Sequence, residues 1–441
     1  MQPSPTPVAT IYTAYLAHPI VSIDSRKVSG GGLFFALKGE RVDGNQYAAA
    51  ALSAGADHVV VDDPDVVVEG DERYFYVADT LQALQQLATH HRNEFKMPVL
   101  AITGSNGKTT TKELVAAVMS RQYSVHATPG NYNNHLGLPL TILGMPAGTE
   151  FLILEMGANH VGEIAELCRI GRPTHGIVTN VGDAHLEGFG GREGVRRGKG
   201  ELYDYLAAHG GVAFVNRDEE YLEQMAARVS RVIPYFTSQE PAPTVFGMEV
   251  KTLALQPRVA VAFLAGAEQP YRSESQLTGR HNLQNIKTAV AIGKYFKVPG
   301  TSIAAAIAGY HPDNHRSQWL THREVSFYWD AYNANPSSVT AALTAFAERR
   351  DPNEAVVVLG EMRELGEASS AAHRRVVLRA GQVARTVLLV GEEMAEVAAE
   401  FDRPHFTDSS TLAEWFWRQD WRQRVVFVKG SRGNRLERLL E

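Results

Sequence analysis

One segment of this chain limits its possible folds more than any other: an apolar run, a glycine-containing turn and a helical pattern follow one another directly. The apolar run is Val99-Leu100-Ala101-Ile102-Thr103, and it lacks the polar alternation of a strand with one solvated face. The turn Gly104-Ser105-Asn106-Gly107 comes next, and residues 108–121 have helical character. This order predicts a strand covered on both faces that leads into a helix, the repeating unit of a parallel α/β sheet.

The same pattern recurs along the chain and divides it into three blocks. Further strand candidates lie at residues 59–61, 74–77, 151–154, 176–179, 212–215, 327–329, 355–359, 386–390 and 425–428. At roughly 150 residues per domain, a chain of 441 residues is expected to form about three domains. We predict an α/β fold with three domains: a small N-terminal α/β domain (1–96), a central phosphate-loop domain with a mostly parallel sheet (97–310) and a C-terminal Rossmann-like α/β domain (311–441). Residues 232–277 leave room for an added antiparallel portion.

Composition excludes several classes of function. The 43 Lys and Arg residues do not outnumber the 49 Asp and Glu residues, so the net charge of −6 offers no cationic field for nucleic acid. The single cysteine, Cys168, excludes an intrachain disulfide and a multi-cysteine metal cluster. No apolar run approaches the roughly 20 residues that cross a bilayer, and the first residues lack the features of a secretory signal. We expect a cytoplasmic monomer with no nucleic acid partner and no membrane insertion.

The turn itself has the composition of a phosphate-binding loop. Glycine lets the backbone curl around phosphate oxygens, and the first turn of the following helix presents N–H groups to negative charge. Lys108 is placed to reach the β- and γ-phosphates of a nucleotide, and the Thr109 hydroxyl suits Mg²⁺. Ile102 stands where the strict G-x-x-x-x-G-K-[ST] motif has its first glycine, so a helix start with a solvated lysine stays as the alternative. The predicted ATP-binding residues of this segment are Gly104, Ser105, Asn106, Gly107, Lys108, Thr109 and Thr110.

This segment resembles the nucleotide loop of the Mur ligases, ATP-dependent amide-forming enzymes of peptidoglycan precursor synthesis. Its sequence is Thr103-Gly104-Ser105-Asn106-Gly107-Lys108-Thr109-Thr110. Other landmarks of that family occur in the same order, so the resemblance covers essentially the whole chain. They lie at residues 24–26, 130–134, 137–139, 154–157, 179–185, 199–201, 279–285, 330–336 and 429–433. The N-terminal domain is then implied to bind the UDP-linked substrate.

The resemblance implies a reaction in which ATP phosphorylates a carboxylate, an amine attacks the acyl phosphate, and phosphate leaves. Within the family, Tyr332-Asn333-Ala334-Asn335-Pro336 resembles the members that add D-alanyl-D-alanine to UDP-N-acetylmuramoyl-tripeptide, which makes these two molecules the implied partners. The alternatives are a diamino-acid-adding relative, a folylpolyglutamate synthetase-like ligase, a P-loop switch and a non-catalytic precursor-binding protein. Whether the tripeptide ends in lysine or diaminopimelate stays open.

The resemblance also assigns roles to side chains outside the loop. It implies that Thr109 and Glu155 help to hold one Mg²⁺ and that His185 helps to hold a second. Several Mur ligases carry a carbamylated lysine at the motif that contains Lys199, and we hypothesise the same modification here. An unmodified Lys199 paired with phosphate or Glu201 is the alternative. The predicted catalytic residues are Lys108, Lys199, His185 and Arg316.

Nucleotide contacts outside the loop are implied for four residues of the later blocks. Asn282 and Asn285 are expected near the base, Asp330 near the ribose and Arg316 near the phosphates. An Asn-x-x-Asn pattern alone is more often a helix cap. The family's usual Gly-Arg pair is replaced here by His315 followed by Arg316.

Substrate contacts are implied for residues of all three blocks. The set is Ser25, Arg26, Asn134, Asn333, Asn335, Lys429 and Arg432. Ser25 and Arg26 suit a diphosphate, although a local salt bridge explains the same residues. Asn333, Asn335 and Ser337 suit hydrogen bonds to the incoming dipeptide and equally suit a helix start around Pro336. A polar turn equally accounts for Lys429 and Arg432.

Overall fold

The computed structural model describes residues 3–28, 30–238, 248–266, 269–312, 316–348 and 353–441. Within these ranges the strands form three sheets, and each sheet lies inside one of the three predicted blocks. The predicted α/β fold class is therefore confirmed, whereas the domain boundaries at 96/97 and 310/311 stay a prediction. His315 lies outside the described residues.

The first sheet is parallel and small. In the described part of the chain its strands are β1 (Val21–Ser22), β2 (Leu33–Phe35), β3 (His58–Val61) and β4 (Tyr74–Tyr76), in that spatial order. The helices of this region are α1 (Val8–Ala17), α2 (Ala48–Ser53) and α3 (Thr80–Asn93). Val59, Val60 and Val61 have no exposed surface, as expected of the apolar run that predicted β3.

The second sheet contains the strand that leads into the phosphate loop. Its described strands are β5 (Val99–Thr103), β6 (Val125–Ala127), β7 (Phe151–Glu155), β8 (His175–Val178), β9 (Val212–Asn216), β10 (Arg231–Ser238), β11 (Glu249–Ala254), β12 (Ala260–Phe263) and β13 (Tyr271–Glu274). Their order is β13-β12-β11-β10-β9-β8-β5-β7-β6. The pairs β11–β12 and β12–β13 are antiparallel, which confirms the added antiparallel portion.

Helices separate most of these strands. They are α4 (Lys108–Met119), α5 (Gly137–Leu143), α6 (Glu163–Gly171), α7 (Leu186–Phe189), α8 (Arg192–Ala208), α9 (Glu220–Met225), α10 (Arg280–Tyr295) and α11 (Gly300–Gly309). All five residues of β5 are buried, as the absence of polar alternation predicted.

The third sheet has one antiparallel edge strand. Its strands among the described residues are β14 (Gln318–His322), β15 (Val325–Asp330), β16 (Ala355–Gly360), β17 (Thr386–Val390), β18 (His405–Phe406) and β19 (Val425–Lys429), in the order β14-β15-β19-β16-β17-β18. The helices are α12 (Pro336–Ala347), α13 (Ser369–Val383), α14 (Ala395–Glu400) and α15 (Ser409–Phe416). Tyr328 and Phe427 belong to one apolar cluster and Phe327 and Val426 to another, because alternate residues of a strand point to opposite faces.

The chain forms two compact units. The first comprises residues 1–101, 123–157 and 163–175, and the second comprises residues 102–122, 158–162 and 176–441. The phosphate loop and the third sheet both belong to the second unit. None of the helices in the described ranges has the length and apolar character required to cross a membrane.

Candidate nucleotide and ligase site

The phosphate loop lies in the second unit and depends on two glycines. Gly104 has φ +138° and Gly107 has φ +80°, a region that disfavours side chains. A Cβ on Gly104 would lie 2.0 Å from Thr179 Oγ1, and a Cβ on Gly107 would lie 2.5 Å from Asn285 Oδ1. Both positions therefore require glycine for backbone conformation and for space.

The segment that follows β8 holds the loop in shape. Ser105 N–H donates to the Asn180 carbonyl at 3.0 Å, and Asn106 N–H donates to Asn180 Oδ1 at 3.0 Å. The Asn106 carbonyl accepts from Thr179 Oγ1 at 2.7 Å and from Asn180 Nδ2 at 2.9 Å. Gly182 N–H donates to Ser105 Oγ at 2.9 Å. These bonds hold the backbone of the loop in one conformation, and positioned N–H donors are what an anion site needs.

Lys108 begins α4 and turns its amine over the loop. Its Nζ donates to the Gly104 carbonyl at 2.7 Å and to the Ser105 carbonyl at 3.4 Å. Thr109 and Thr110 follow in the first turn of α4, and both are buried. A cation beside the N-terminus of a helix forms an environment for negative charge, and phosphate binding by these residues stays a prediction.

Asn282 and Asn285 belong to a buried polar network between α10 and α4. Asn282 Nδ2 donates to the Thr278 carbonyl at 3.0 Å, and Asn285 Nδ2 donates to Asn282 Oδ1 at 3.1 Å. Asn285 Oδ1 accepts from Thr111 Oγ1 at 3.0 Å. The network places the Asn285 amide beside Gly107, and Asn282 accepts a bond from that amide. Their contact with a base stays a prediction.

Asp330 and Lys429 form an ion pair at the carboxyl ends of β15 and β19. The two residues are direct partners in the parallel register, and Lys429 Nζ donates to Asp330 Oδ2 at 2.6 Å and to the Asn333 carbonyl at 3.0 Å. His281 lies close enough to Asp330 and Lys429 for both charges to shift its pKa. Burial lowers the pKa of His281 to about 4; Lys429 also lowers this pKa, whereas Asp330 raises it. The imidazole is therefore neutral at pH 7, and the predicted ribose aspartate and the predicted substrate lysine belong to one cluster.

Arg316 and Arg432 both lie against the ring of Tyr332. The Arg316 guanidinium carbon is 4.1 Å from the ring centroid, and that of Arg432 is 5.9 Å away. Cation–π contact thus gives both guanidinium groups a common neighbour in Tyr332. Such a pair of cations suits a phosphate or carboxylate.

His185 and Glu364 form an ion pair through Nδ1 and Oε2. The hydrogen bond from His185 lowers the pKa of the Glu364 carboxyl. His185 has φ +56° and Glu364 has φ +62°, so both ends of the pair occupy the left-handed region. The histidine predicted as a metal ligand thus has Nδ1 bonded to a carboxylate, a partner that commonly orients a ligating histidine.

Lys199 lies in α8 and is 1% exposed. Its Nζ donates to the Ala158 carbonyl at 3.0 Å and lies 4.9 Å from the centroid of the Phe189 ring. Burial separates this amine from solvent, and carbamylation of Lys199 stays a prediction.

The predicted residues of the first unit are Ser25, Arg26, Asn134 and Glu155. Glu155 ends β7, is 1% exposed, and its Oε1 accepts from Asn133 Nδ2 at 2.8 Å. Asn134 Oδ1 accepts from Gly137 N–H at 2.9 Å and so caps the start of α5.

Arg26 lies in an exposed turn of the first unit and pairs with its neighbour Asp24. Its Nε donates to Asp24 Oδ1 and its Nη2 to Asp24 Oδ2, both at 2.9 Å. These bonds lower the pKa of Asp24 to about 2. Ser25 lies in the same turn. The local salt bridge is thus present, and the roles of Ser25 and Arg26 toward a diphosphate stay predictions.

Sequence models of three Mur ligase domains match the chain in order. The model described as the family's catalytic domain matches residues 19–92, the middle domain matches 102–293, and the glutamate ligase domain matches 315–432. A UDP-N-acetylmuramoyl-tripeptide–D-alanyl-D-alanine ligase of Bacillus subtilis is 33% identical over 96% of this chain and 92% of its own length. The chain belongs to the Mur ligase family.

Solved structures of Mur ligases agree with the fold. MurF from Acinetobacter baumannii superimposes with a TM-score of 0.84, at 26% identity, over 100% of this chain and 98% of its own. A MurF ligase from Thermotoga maritima in complex with ADP gives a TM-score of 0.80, at 28% identity, over 95% and 96% of the two chains. The predicted three-domain architecture with mostly parallel sheets is confirmed.

The geometry adds residues to the Mur ligase site that sequence reasoning missed. Thr179 and Asn180 belong to one of the family landmarks, but no role was predicted for them as supports of the loop. Glu364 and Tyr332 contact predicted residues through pairs far apart in the chain. His281 adjoins Asn282 in the Gly-Arg-His-Asn motif, a signal that was present but not used.

Proposed function

We propose that this Mur ligase joins D-alanyl-D-alanine to UDP-N-acetylmuramoyl-tripeptide with cleavage of ATP to ADP and phosphate, a step of peptidoglycan precursor synthesis. The observation that carries the proposal is the contact between the phosphate loop and the start of α12. Asn335 Nδ2 donates to Asn106 Oδ1 at 2.8 Å, so the nucleotide loop directly adjoins the Tyr-Asn-Ala-Asn-Pro element. The names of the Bacillus and Thermotoga relatives, with the ADP bound to the latter, support the same reaction.

The protein's part in this chemistry is to position groups and to stabilise charge. The loop amides and Lys108 bind the ATP phosphates, and Arg316 neutralises charge on the phosphoryl group as it moves to the tripeptide carboxylate. Asp330 and the asparagines of α10 orient the nucleoside. The amine of the dipeptide then attacks the acyl phosphate, and phosphate leaves. No side-chain nucleophile is required, and Cys168 is fully buried.

We also propose that Mg²⁺ accompanies the ATP. Oxygen donors suit this ion, which is usually held by one or two carboxylates together with phosphates and water. The Thr109 hydroxyl and the Glu155 carboxylate are donors of that kind, and His185 is the remaining predicted ligand. The described residues contain no group of three or more His, Cys, Asp or Glu side chains arranged to hold a metal. When bound, the ion would neutralise phosphate charge.

We propose that the protein is cytoplasmic, because ATP and UDP-linked precursors are cytoplasmic substrates. We also propose that it acts as a monomer. The implied UDP contacts of Ser25 and Arg26, and the substrate contacts of Asn134, Asn333, Lys429 and Arg432, belong to the same proposal. The position of Arg432 beside the Tyr332 ring, which Arg316 also contacts, supports its proposed substrate contact.

The decisive experiment measures phosphate release from ATP with different acceptors. The purified protein is incubated with ATP, Mg²⁺ and UDP-N-acetylmuramoyl-tripeptide, and with D-alanyl-D-alanine, a diamino acid or glutamate. We expect release only with the dipeptide, together with a product heavier by the dipeptide residue. Addition of a diamino acid to UDP-N-acetylmuramoyl-dipeptide, supplied in a parallel incubation, would indicate the sister ligase. Release without any acceptor would indicate a P-loop switch, and binding without turnover a passive binder.

Lys199 provides a separate prediction. If its amine adds CO₂ and loses a proton, a buried cation becomes a carboxylate. We expect Lys199→Ala to lower ligation by about 10²-fold, the effect of removing a group that orients a metal site, and added acetate or formate to restore part of it. Protein incubated with ¹³C-bicarbonate is expected to show a carbamate carbon signal that is missing from the variant. Absence of the carbamate signal from the wild-type protein, together with no restoration by carboxylates, would refute the modification.

A further inference from the structure

Three polar side chains at the phosphate loop and the start of α12 form a closed ring of hydrogen bonds. Asn106 Nδ2 donates to Ser337 Oγ at 2.9 Å, and Ser337 Oγ donates to Asn335 Oδ1 at 2.9 Å. Asn335 Nδ2 completes the ring by donating to Asn106 Oδ1 at 2.8 Å. Each side chain donates one bond and accepts one, an arrangement in which hydrogen bonds strengthen one another.

The loop side of the ring has a fixed backbone. The N–H and the carbonyl of Asn106 are both bonded to Asn180, and Thr179 Oγ1 donates a further bond to that carbonyl. The side chain of Asn106 is thus carried by the same peptide units that would surround a phosphate. A displacement of the loop backbone moves its amide directly.

The helix side of the ring is equally constrained. Asn335 Oδ1 accepts from Ser338 N–H at 2.8 Å, while Ser338 Oγ accepts from Asn335 N–H at 3.1 Å. This is a capping box, which fixes Asn335 relative to the first turn of α12. A change in the orientation of Asn335 therefore changes the start of the helix.

Gly182 shows how closely the two sides approach. A Cβ at this position would lie 2.6 Å from Ser337 Oγ and 3.2 Å from Asn106 Nδ2. A side chain here would displace the ring, so its geometry requires glycine at residue 182.

We propose that this ring couples nucleotide binding to acceptor binding, with Asn106 and Ser337 as positioning residues. The proposal rests on the proposed function. Phosphates bound by the loop fix Asn106, Asn106 fixes Asn335, and Asn335 fixes the segment in which the acceptor dipeptide is proposed to bind. Thermodynamic linkage requires the converse, that bound dipeptide tightens the nucleotide by the same factor.

The test compares the dissociation constant of D-alanyl-D-alanine with and without a saturating non-hydrolysable ATP analogue. Calorimetry is performed on the full-length protein in the presence of Mg²⁺ and the UDP-linked tripeptide. For the wild-type protein we expect the analogue to tighten the dipeptide by about tenfold, within the usual range of coupling between sites. For Ser337→Ala and for Asn106→Ala we expect a ratio within about twofold of one.

Ser338→Ala is the matched control, because Ser338 lies one position further in the same helical turn and is outside the ring. Ser338→Ala removes the bonds between Ser338 Oγ and the Asn335 backbone but keeps the bond from Ser338 N–H to Asn335 Oδ1. We therefore expect a lower thermal unfolding midpoint and an unchanged coupling ratio. If Ser337 has a purely structural role, Ser337→Ala and Ser338→Ala are expected to have the same coupling ratio.

A double-mutant cycle gives the second readout. Asn106→Ala and Ser337→Ala each break the same ring. We therefore expect the kcat/KM of the double variant for the dipeptide to be no lower than that of the less active single variant. Combining Asn106→Ala with Ser338→Ala is expected to give additive effects.

The outcomes separate the two proposals. Absence of any ligated product from the wild-type protein would overturn the proposed function and the role of the ring with it. Product formation by the wild-type protein, together with a wild-type coupling ratio in Ser337→Ala and Asn106→Ala, would overturn only the coupling role of the ring.

Discussion

Replacement of Lys108 by alanine is expected to reduce ligation by about 10³-fold or more, the range seen when a cation that stabilises a transferring phosphoryl group is lost. The Lys108 amine lies over the loop, 2.7 Å from the Gly104 carbonyl. Alanine favours a helix at least as well as lysine does, so α4 should persist. Phosphate release with all substrates present measures the loss.

Lys96→Ala is the control for this experiment. Lys96 is exposed and precedes β5 in the sequence, so its loss removes a positive charge without touching the loop. We expect it to leave ligation within about twofold, as is usual for surface substitutions. The Lys108 variant should also keep its affinity for the UDP-linked tripeptide, measured without ATP. Turnover at the wild-type rate in Lys108→Ala would contradict the phosphate role.

The parts of the fold that follow from local pattern were predictable. Buried strands such as β5 have no polar alternation, and glycine, lysine and threonine at its end indicate a phosphate loop. Asn335 before Pro336 predicted a helix start, and the structure has a capping box there. Each of these signals lies within about ten residues of the chain, where steric and hydrogen-bonding preferences act directly.

The pairs that complete the site were not predictable from such patterns. Asn106 and Ser337 are 231 residues apart, and His185 and Glu364 are 179 residues apart. Asp330 and Lys429 meet because β19 inserts between β15 and β16, an order that does not follow the sequence. Without the strand order, two polar residues at strand ends give no indication that they are neighbours. The roles of these residues therefore depend on packing rather than on spacing.

Gly104→Ala is expected to cause the largest loss of stability among the loop substitutions. Its Cβ would lie 2.0 Å from Thr179 Oγ1, 3.0 Å from Thr179 N and 3.1 Å from Asn180 N. Thr179 directly follows β8, so the backbone atoms cannot retreat without disturbing the sheet. We expect a cost of about 2–4 kcal/mol, from overpacking together with an unfavourable φ. Thermal unfolding and the KM for ATP measure the two consequences, and the loop should lose its affinity for ATP by at least about tenfold.

Two further variants separate the clash from the backbone strain. Gly148 has φ +83°, and a Cβ on this residue would have no other atom within 4 Å, so Gly148→Ala carries strain without a clash and should cost only about 1–2 kcal/mol. Thr179→Ala removes the atom that Gly104→Ala would strike first, although it also removes the hydrogen bond to the Asn106 carbonyl. The double variant should therefore be more stable than the sum of the two single effects predicts. Equal destabilisation by Gly104→Ala and Gly148→Ala, with strictly additive effects of Thr179→Ala, would mean that the loop does not pack against the end of β8 as closely as the distances require.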